Sequence, residues 1–413
     1  MRAGWLCLAA AAALTPLVSG CGGVSAPAAA GVGDELTVYT SLPLHGSGAP
    51  VARQVLGGEK VALADAGGRA GRFRINIFAL DDSSPKSGQW DPGATASNAT
   101  TAAQENTTIA YIGDLDSGAT AVSLPLINAA GILQVSPVSP YVGLTSSTDA
   151  GEDEPDRFYM TGTRNFVRLA PGDLVEAAAQ VRLMRLLHVR RVYVANDLDP
   201  FNVPLAELVA GAAHRAGIEV IADDGVDTTT ATTFTGEVEK IASSGAQALF
   251  YSGAAGPGAT AFLQELHSAD PSLLISGSST MDGATLASEL GAQGGTVYRT
   301  TPTLAPAMYP PAAARVLQEF ERRFREPSSP YVLYGYEAMS AVLAAVRAAG
   351  PRGNNRDAVI RHLFALRDRE SVLGRYSVQP NGETTLSRYG IQRLEHGRLR
   401  FWRAVDIPPS QLP

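Results

Sequence analysis

Six histidines, His45, His188, His214, His267, His362 and His396, are scattered through 413 residues with no H-E-x-x-H pair and no neighbouring cysteine. That spacing supports neither a metal site nor a metal-activated water. The two cysteines, Cys7 and Cys21, both stand near the N-terminus, so a cysteine nucleophile is unsupported as well. Gly46-Ser47-Gly48 lacks the G-x-S-x-G elbow of serine hydrolases. In "SGAAGPGAT", Gly253, Gly256 and Gly258 miss the G-x-G-x-x-G order of a dinucleotide loop and lie mid-chain. No catalytic residue, metal or cofactor is expected, although a Ser/His/Asp set assembled only by folding stays open.

Hydroxyls and prolines carry more information. In "GILQVSPVSPYVGL", residues 131–144, a short apolar run ends among two prolines and two serines. Proline fixes its own backbone and restricts its predecessor, so the serine between the prolines loses little entropy on binding. The loop reads either as one wall of a ligand crevice or as a rigid connection, and its residues leave both readings open. In "GDLDSG", Ser117 opens a helical pattern, where its hydroxyl and the adjacent N–H groups suit a ligand oxygen, or where it is simply a cap. The acidic run from Glu152 to Asp156 reads as a solvated loop before it reads as a partner surface or cation site.

The elements that must position these loops alternate. Short β-rich runs ("ELTVYTSL", "RFRINIFAL", "IAYIGDL", "ILQVS") are separated by helical patterns of 12 to 18 residues, the rhythm of βαβ units and parallel sheets. After "GEDEPD" the rhythm restarts with "RFYMTG", read as a strand opening a second lobe, and continues through "RRVYVAND", "IEVIADD", "AQALFYSG", "SLLISG" and "TVYRTTPT". Three helical patterns follow from residue 311 almost to 366. A hairpin across His396-Gly397 closes the chain. In a parallel sheet, ligands bind outside the carboxyl ends of the strands, where "GDLDSG" and "SPVSP" both fall.

At this length the prior is two domains, and 45% hydrophobic with 18% charged residues allows each a sizeable core. The net charge of -7 excludes a basic surface for nucleic acid. The run from Trp5 to Val18 is too short to cross a bilayer and reads as an export signal. Val18-Ser19-Gly20-Cys21 resembles a bacterial lipoprotein cleavage box, which predicts lipidation of Cys21 and a flexible tether through residue 35. With Cys7 removed and Cys21 lipidated, no disulfide is expected. In that context Asn98 and Asn106 of the Asn-X-Thr sequences read as ordinary polar residues.

Taken in order, "VYTSLPLHGSGAP", "ALDDSSP", "AYIGDLDSGAT", "INAAGILQVSPVSPYVGLT", "RFYMTG", "RVYVANDLDPF", "GAQALFYSG", "YGYEAMSAVLAAV" and "GRYSVQPNGE" resemble the type I periplasmic solute-binding proteins, in particular the branched-chain amino acid receptor family. The resemblance covers nearly all of the chain beyond the tether. It implies an α/β fold of two doubly wound α/β lobes joined by a three-crossing hinge. Lobe 1 would comprise 36–163 and 302–375, lobe 2 164–301 and 376–405, with 1–20 a signal, 21–35 a tether and 406–413 a tail. It further implies a monomeric extracytoplasmic receptor, lipid-anchored to the outer face of the membrane, that hands a small-molecule solute to ABC permease subunits. The alternatives are a sensing lipoprotein that reports to a signalling partner, or an exported α/β enzyme.

By the same resemblance Ser117 stands where the family holds a ligand carboxylate, Val138 and Ser139 at the next contacts, and Phe201 where an aromatic covers the ligand. Tyr336 matches a cleft aromatic returning from the first lobe. Three positions depart from the pattern: Pro140 replaces a common threonine, Ala254 a common tyrosine, and Ser279 the usual acidic partner of the amine. Asp116 adds a negative charge beside Ser117. Together these departures point away from a simple branched-chain amino acid and toward a larger neutral or cationic solute.

Overall fold

The computed structural model describes residues 33–84, 89–291 and 296–412; the expected export signal, Cys21 and most of the expected tether lie outside them. The first sheet contains β1 (Glu35–Leu42), β2 (Arg69–Ala70), β3 (Phe73–Asp81), β4 (Thr108–Ile112), β5 (Leu133–Ser136) and β6 (Phe166–Arg168), in the order β2-β3-β1-β4-β5-β6. All its pairings are parallel except β2 with β3. The second sheet contains β7 (Arg191–Asn196), β8 (Glu219–Gly225), β9 (Ala248–Ser252), β10 (Leu274–Gly277) and β11 (Val297–Thr301). After a small hairpin of β12 (Arg369–Ser371) and β13 (Gly374–Tyr376), β14 (Arg388–Glu395) and β15 (Arg398–Asp406) complete it, in the order β15-β14-β11-β10-β9-β7-β8. There β7 to β11 are mutually parallel, and the last two strands run antiparallel.

Helices cover the sheets: α1 (Ala49–Asp65), α2 (Pro92–Gln104), α3 (Ser117–Ala129), α4 (Asp173–Leu186), α5 (Val203–Arg215), α6 (Thr235–Ser243), α7 (Pro257–Ala269), α8 (Gly283–Leu290), α9 (Pro311–Phe324), α10 (Tyr331–Ala348) and α11 (Arg356–Phe364). Local chemistry sets their ends. Pro92, Pro257 and Pro311 occupy first helical positions, where a missing N–H costs nothing. Asp91 caps α2 by accepting from the Ala94 N–H at 2.8 Å. In α9 the buried residues Ala313, Val316, Leu317 and Phe320 recur at i, i+3, i+4 and i+7, one apolar face against the first core.

The fold is therefore two α/β lobes. Helices α9 to α11 share the first core, and the chain passes between the lobes three times: after β6, after β11, and between β13 and β14. The "RFYMTG" reading needs correction. Asp156–Phe158 is one 3-10 turn, and the strand is the three-residue β6, which pairs with β5 in the first sheet. The Tyr159 hydroxyl donates to the Leu144 carbonyl at 2.8 Å, which ties this segment to the loop after β5 rather than to a sheet.

One buried carboxyl inside this frame has a measurable consequence. Glu59 on α1 is fully enclosed; it accepts from the Thr40 hydroxyl at 3.1 Å, and its Oε2 has no partner. Burial raises its pKa to about 8, the Thr40 hydrogen bond and Lys60 only partly offsetting it. The folded state thus holds a proton that the unfolded chain releases near pH 4, so this group's stabilising contribution is present at low pH and is lost as pH rises toward 8. Glu59→Gln is expected to raise the Tm at pH 8 while leaving it nearly unchanged at pH 5. Equal shifts at both pH values would count against a protonated Glu59.

Candidate functional site

Because the main strands of each lobe are parallel, their carboxyl ends share one edge, and the loops leaving those edges converge. From lobe 1 come Leu44 and His45 after β1, Asp81 and Asp82 at the end of β3, Asp114 to Ser117 after β4, and Pro137 to Pro140 after β5. From lobe 2 come Asp197 to Phe201 after β7, Gly253 and Ala254 after β9, and Ser278 to Thr280 after β10. The lobes meet at Phe201, whose ring packs edge-on against Tyr141 with centroids 5.2 Å apart. A Cβ placed on Gly118 would stand 2.9 Å from Phe201 and 2.3 Å from Trp90, so both rings lie directly on the start of α3.

The SPVSP loop is held from within. The Ser139 hydroxyl donates to the Asp114 carbonyl at 2.8 Å and lies 2.6 Å from Thr120 Oγ1; the Ser139 N–H donates to the Leu115 carbonyl at 3.1 Å. These bonds, between the two prolines, hold Ser139 at φ +29, a conformation a side chain rarely adopts. Beneath it the buried Arg168 guanidinium donates to the Ser139 and Tyr141 carbonyls at 2.6 and 2.8 Å, to Thr145 Oγ1 at 2.9 Å, and to Glu383 from the third crossing.

Of the residues singled out from sequence, Asp116, Ser117, Ser139, Pro140 and Phe201 are brought together here, with Val138 partly buried against the first core. Ser117 Oγ accepts from the Tyr141 N–H at 3.1 Å. Ala254 is exposed across from them, its N–H donating to Asp197 at 2.9 Å. Ser279 reaches the same edge, but its N–H and hydroxyl are both given to buried Glu176, at 2.6 and 2.5 Å. Ser139 and Ser279 therefore position loops and do not offer free hydroxyls. Tyr336 is not in the crevice. It lies on the outer face of α10, where its hydroxyl donates to Asp65 at 3.0 Å at the far end of α1. The α10 aromatic on the crevice side is Tyr331, grouped with Leu44 and Leu115. Helical periodicity could not separate the two, because both stand near the start of the same helix.

Sequence reasoning also missed Trp90 and the concentration of acids. Asp81 is held at about pKa 2: burial opposes this, but hydrogen bonds from Ser83, His45 and the Leu44 N–H outweigh it. Asp82 and Asp114 are fully buried neighbours, and both pKa values are raised, chiefly by burial, with Asp116 adding repulsion to each. Asp114 keeps bonds from Tyr111 and Ser123, at 3.0 and 2.5 Å; Asp82 Oδ1 has no partner. Asp116 is open to solvent yet walled by protein on both sides of the crevice, and this enclosure, with Asp199 opposite, raises its pKa to about 6. Asp199 is itself raised, by burial and then by Asp197, although its Oδ1 accepts the Phe201 N–H at 2.8 Å. Two cavities, of about 410 and 520 Å³, lie elsewhere: one beside His188 and Gln247 at the amino ends of the lobe 2 strands, the other between Tyr309 and Arg388 near the hinge.

Two mainly parallel sheets whose strand ends face one another across a crevice, with three chain crossings beside it, are the architecture of a two-lobed solute-binding protein. The chain belongs to the periplasmic binding protein family, whose model matches residues 38–398. Its fold is that of a leucine binding protein from Thermotoga maritima, with a TM-score of 0.75 at 16% identity over 91% of this chain and 100% of that one. A branched-chain amino acid binding protein from Streptococcus pneumoniae, in complex with isoleucine, gives 0.71 at 17% over 91% and 100%. A solute binding protein from Rhodopseudomonas palustris HaA2, in complex with p-hydroxybenzoic acid, gives 0.73 at 15% over 91% and 98%. No curated protein sequence matches the chain. This is the family of the branched-chain amino acid receptors of ABC transporters, extracytoplasmic proteins that bind small molecules for transport. Among the described residues no helix is long and apolar enough to cross a membrane.

Proposed function

We propose that this chain is a lipid-anchored, monomeric receptor that captures a solute between its lobes and hands it to an ABC permease without chemical change, and that the solute is not a simple branched-chain amino acid. The lobes are divided after Arg168, after Thr301, and between Tyr376 and Arg388, the first division falling later than residue 163 because β6 pairs in the first sheet. Asp116, Ser117, Phe201 and Ala254 face the solute, while Val138, Ser139, Pro140 and Ser279 shape the walls.

One observation carries the ligand reading: the loop after β5 has no backbone donor left. The N–H groups of Val138, Ser139, Tyr141 and Val142 go to Ser136 Oγ, the Leu115 carbonyl, Ser117 Oγ and Asp173 Oδ2, and Pro140 has none. A ligand carboxylate on this loop would find no backbone donor in it and would lie beside Asp116. The test is a thermal-shift screen of leucine, isoleucine and valine beside neutral and charged solutes, since a ligand at 100 times its Kd stabilises by about 2.7 kcal/mol. A saturating hit is expected to shrink the radius of gyration in small-angle scattering as the lobes close. Micromolar leucine binding, or a saturating ligand that leaves the shape unchanged, would overturn the reading.

Anchoring rests on the cleavage box before Cys21. Cys21→Ala is expected to move the protein from the membrane fraction to the soluble fraction, or to block its processing. Unchanged membrane retention would remove the anchor.

A further inference from the structure

The two walls of the crevice carry like charge, and among the described residues no cation pairs with it. On lobe 1, Asp116 is the N-cap of α3, yet its carboxylate makes no capping hydrogen bond. An aspartate at that position ordinarily accepts from the first turn; this one is left open to solvent in the crevice. On lobe 2, Asp199 is exposed and stands two residues before Phe201, the ring that rests on Gly118, two residues after Asp116. Among the described residues no lysine, arginine or histidine ion-pairs with Asp116, Asp197 or Asp199. Deeper in lobe 1, the fully buried Asp82 keeps one carboxyl oxygen without a partner. Carbons of Trp90 and Phe201 both lie within 3 Å of where a Cβ on Gly118 would stand, two residues after Asp116.

We infer that the solute is an organic cation, held between the carboxylates of Asp116 on one lobe and Asp199 on the other and packed against Trp90 and Phe201. This rests on the receptor reading above and narrows it. An ammonium group in the gap neutralises both acids at once, so it interacts more favourably with the approached lobes than with the separated ones, which is what a ligand must do to drive closure. Indole and phenyl faces attract the same group through their quadrupoles. An anion meets two carboxylates with which no lysine, arginine or histidine among the described residues pairs. A bare metal ion is the weaker occupant, since among the described residues no group of three His, Cys, Asp or Glu side chains is placed to hold one.

The probes are spermidine, putrescine and choline, with leucine, benzoate and calcium as the opposing arms, measured by thermal shift and calorimetry on the mature chain and on Asp116→Asn and Asp199→Asn. Both variants are isosteric changes of exposed side chains, and circular dichroism checks their folding. At least one organic cation is expected to bind, each variant is expected to weaken it about tenfold or more, as loss of one charge contact in partly screened surroundings requires, and added salt is expected to weaken it further. Below pH 6, where Asp116 takes up a proton, affinity is expected to fall in the parent and less in Asp116→Asn. Cation binding that neither variant alters overturns the inference, as does calcium binding with no organic cation bound. Leucine or benzoate binding with no cation bound overturns it and leaves the receptor reading standing. Silence from every probe of every charge tells against both.

Discussion

Arg168→Met is expected to cost about 3 kcal/mol of folding free energy, the lower end of the range for removing one partner of a buried pair, because Glu383 keeps some contact with solvent. The guanidinium, 1% exposed, ties two carbonyls of the SPVSP loop to the third crossing. Without it the Glu383 carboxylate stays in the hinge with only the Thr145 hydroxyl to answer it, the Ser139 carbonyl loses its Arg168 donor, and that of Tyr141 keeps only the Leu144 N–H at 3.4 Å. Urea unfolding monitored by circular dichroism is the measurement. Adding Glu383→Gln to Arg168→Met is expected to recover part of the loss, since a neutral amide is cheaper to leave there. A loss below about 1 kcal/mol, typical of a surface pair, would mean that the hinge is not held this way.

Gly335→Ala is expected to destabilise by about 3 kcal/mol or more, at the upper end for overpacking. Helices α1 and α10 touch backbone to backbone. A Cβ on Gly335 would fall 1.9 Å from the Val55 carbonyl oxygen, and one on Gly58 would fall 2.0 Å from that of Val332. No rotamer change relieves a clash with a carbonyl, so the helices must separate and loosen the apolar contacts of the first core. The contrast is Gly211→Ala in α5, where the nearest atom is the mobile end of Arg215 at 3.3 Å. That change is expected to stabilise by up to about 1 kcal/mol through helix propensity. Parallel denaturation curves read both, and a neutral Gly335→Ala would refute the close approach.

The alternation of strand and helix was legible because each element carries its own period. β1 spans the eight residues of "ELTVYTSL", and the hairpin at His396-Gly397 joins β14 to β15 as read. What escaped were elements too short to show a period: β2 has two residues and β6 three. "RFYMTG" misled because an apolar cluster bounded by glycine looks like a strand, whereas its tyrosine spends its hydroxyl on the Leu144 carbonyl. The resemblance pointed to loops that the fold gathers along one crevice, yet the loops did not disclose which groups remain free. Ser279 is readable as a hydroxyl, but its commitment to Glu176 joins residues 103 positions apart. Likewise Asp116 and Asp199 become neighbours only when the two lobes are laid together, and no local pattern encodes that.

Neither lobe is assembled from one continuous stretch. Lobe 1 waits for α10, and the second sheet gains its last two strands only with Arg388–Asp406, near the end of the chain. During synthesis, therefore, the segment through β11 emerges with one edge of its sheet unpaired and with the α10 side of the first core uncovered. The second sheet cannot be completed until Arg388–Asp406 has been made, nor the first core covered before α10. For a protein of an extracytoplasmic family that delay is useful, because a chain that settles late can still be threaded through a membrane before its contacts lock.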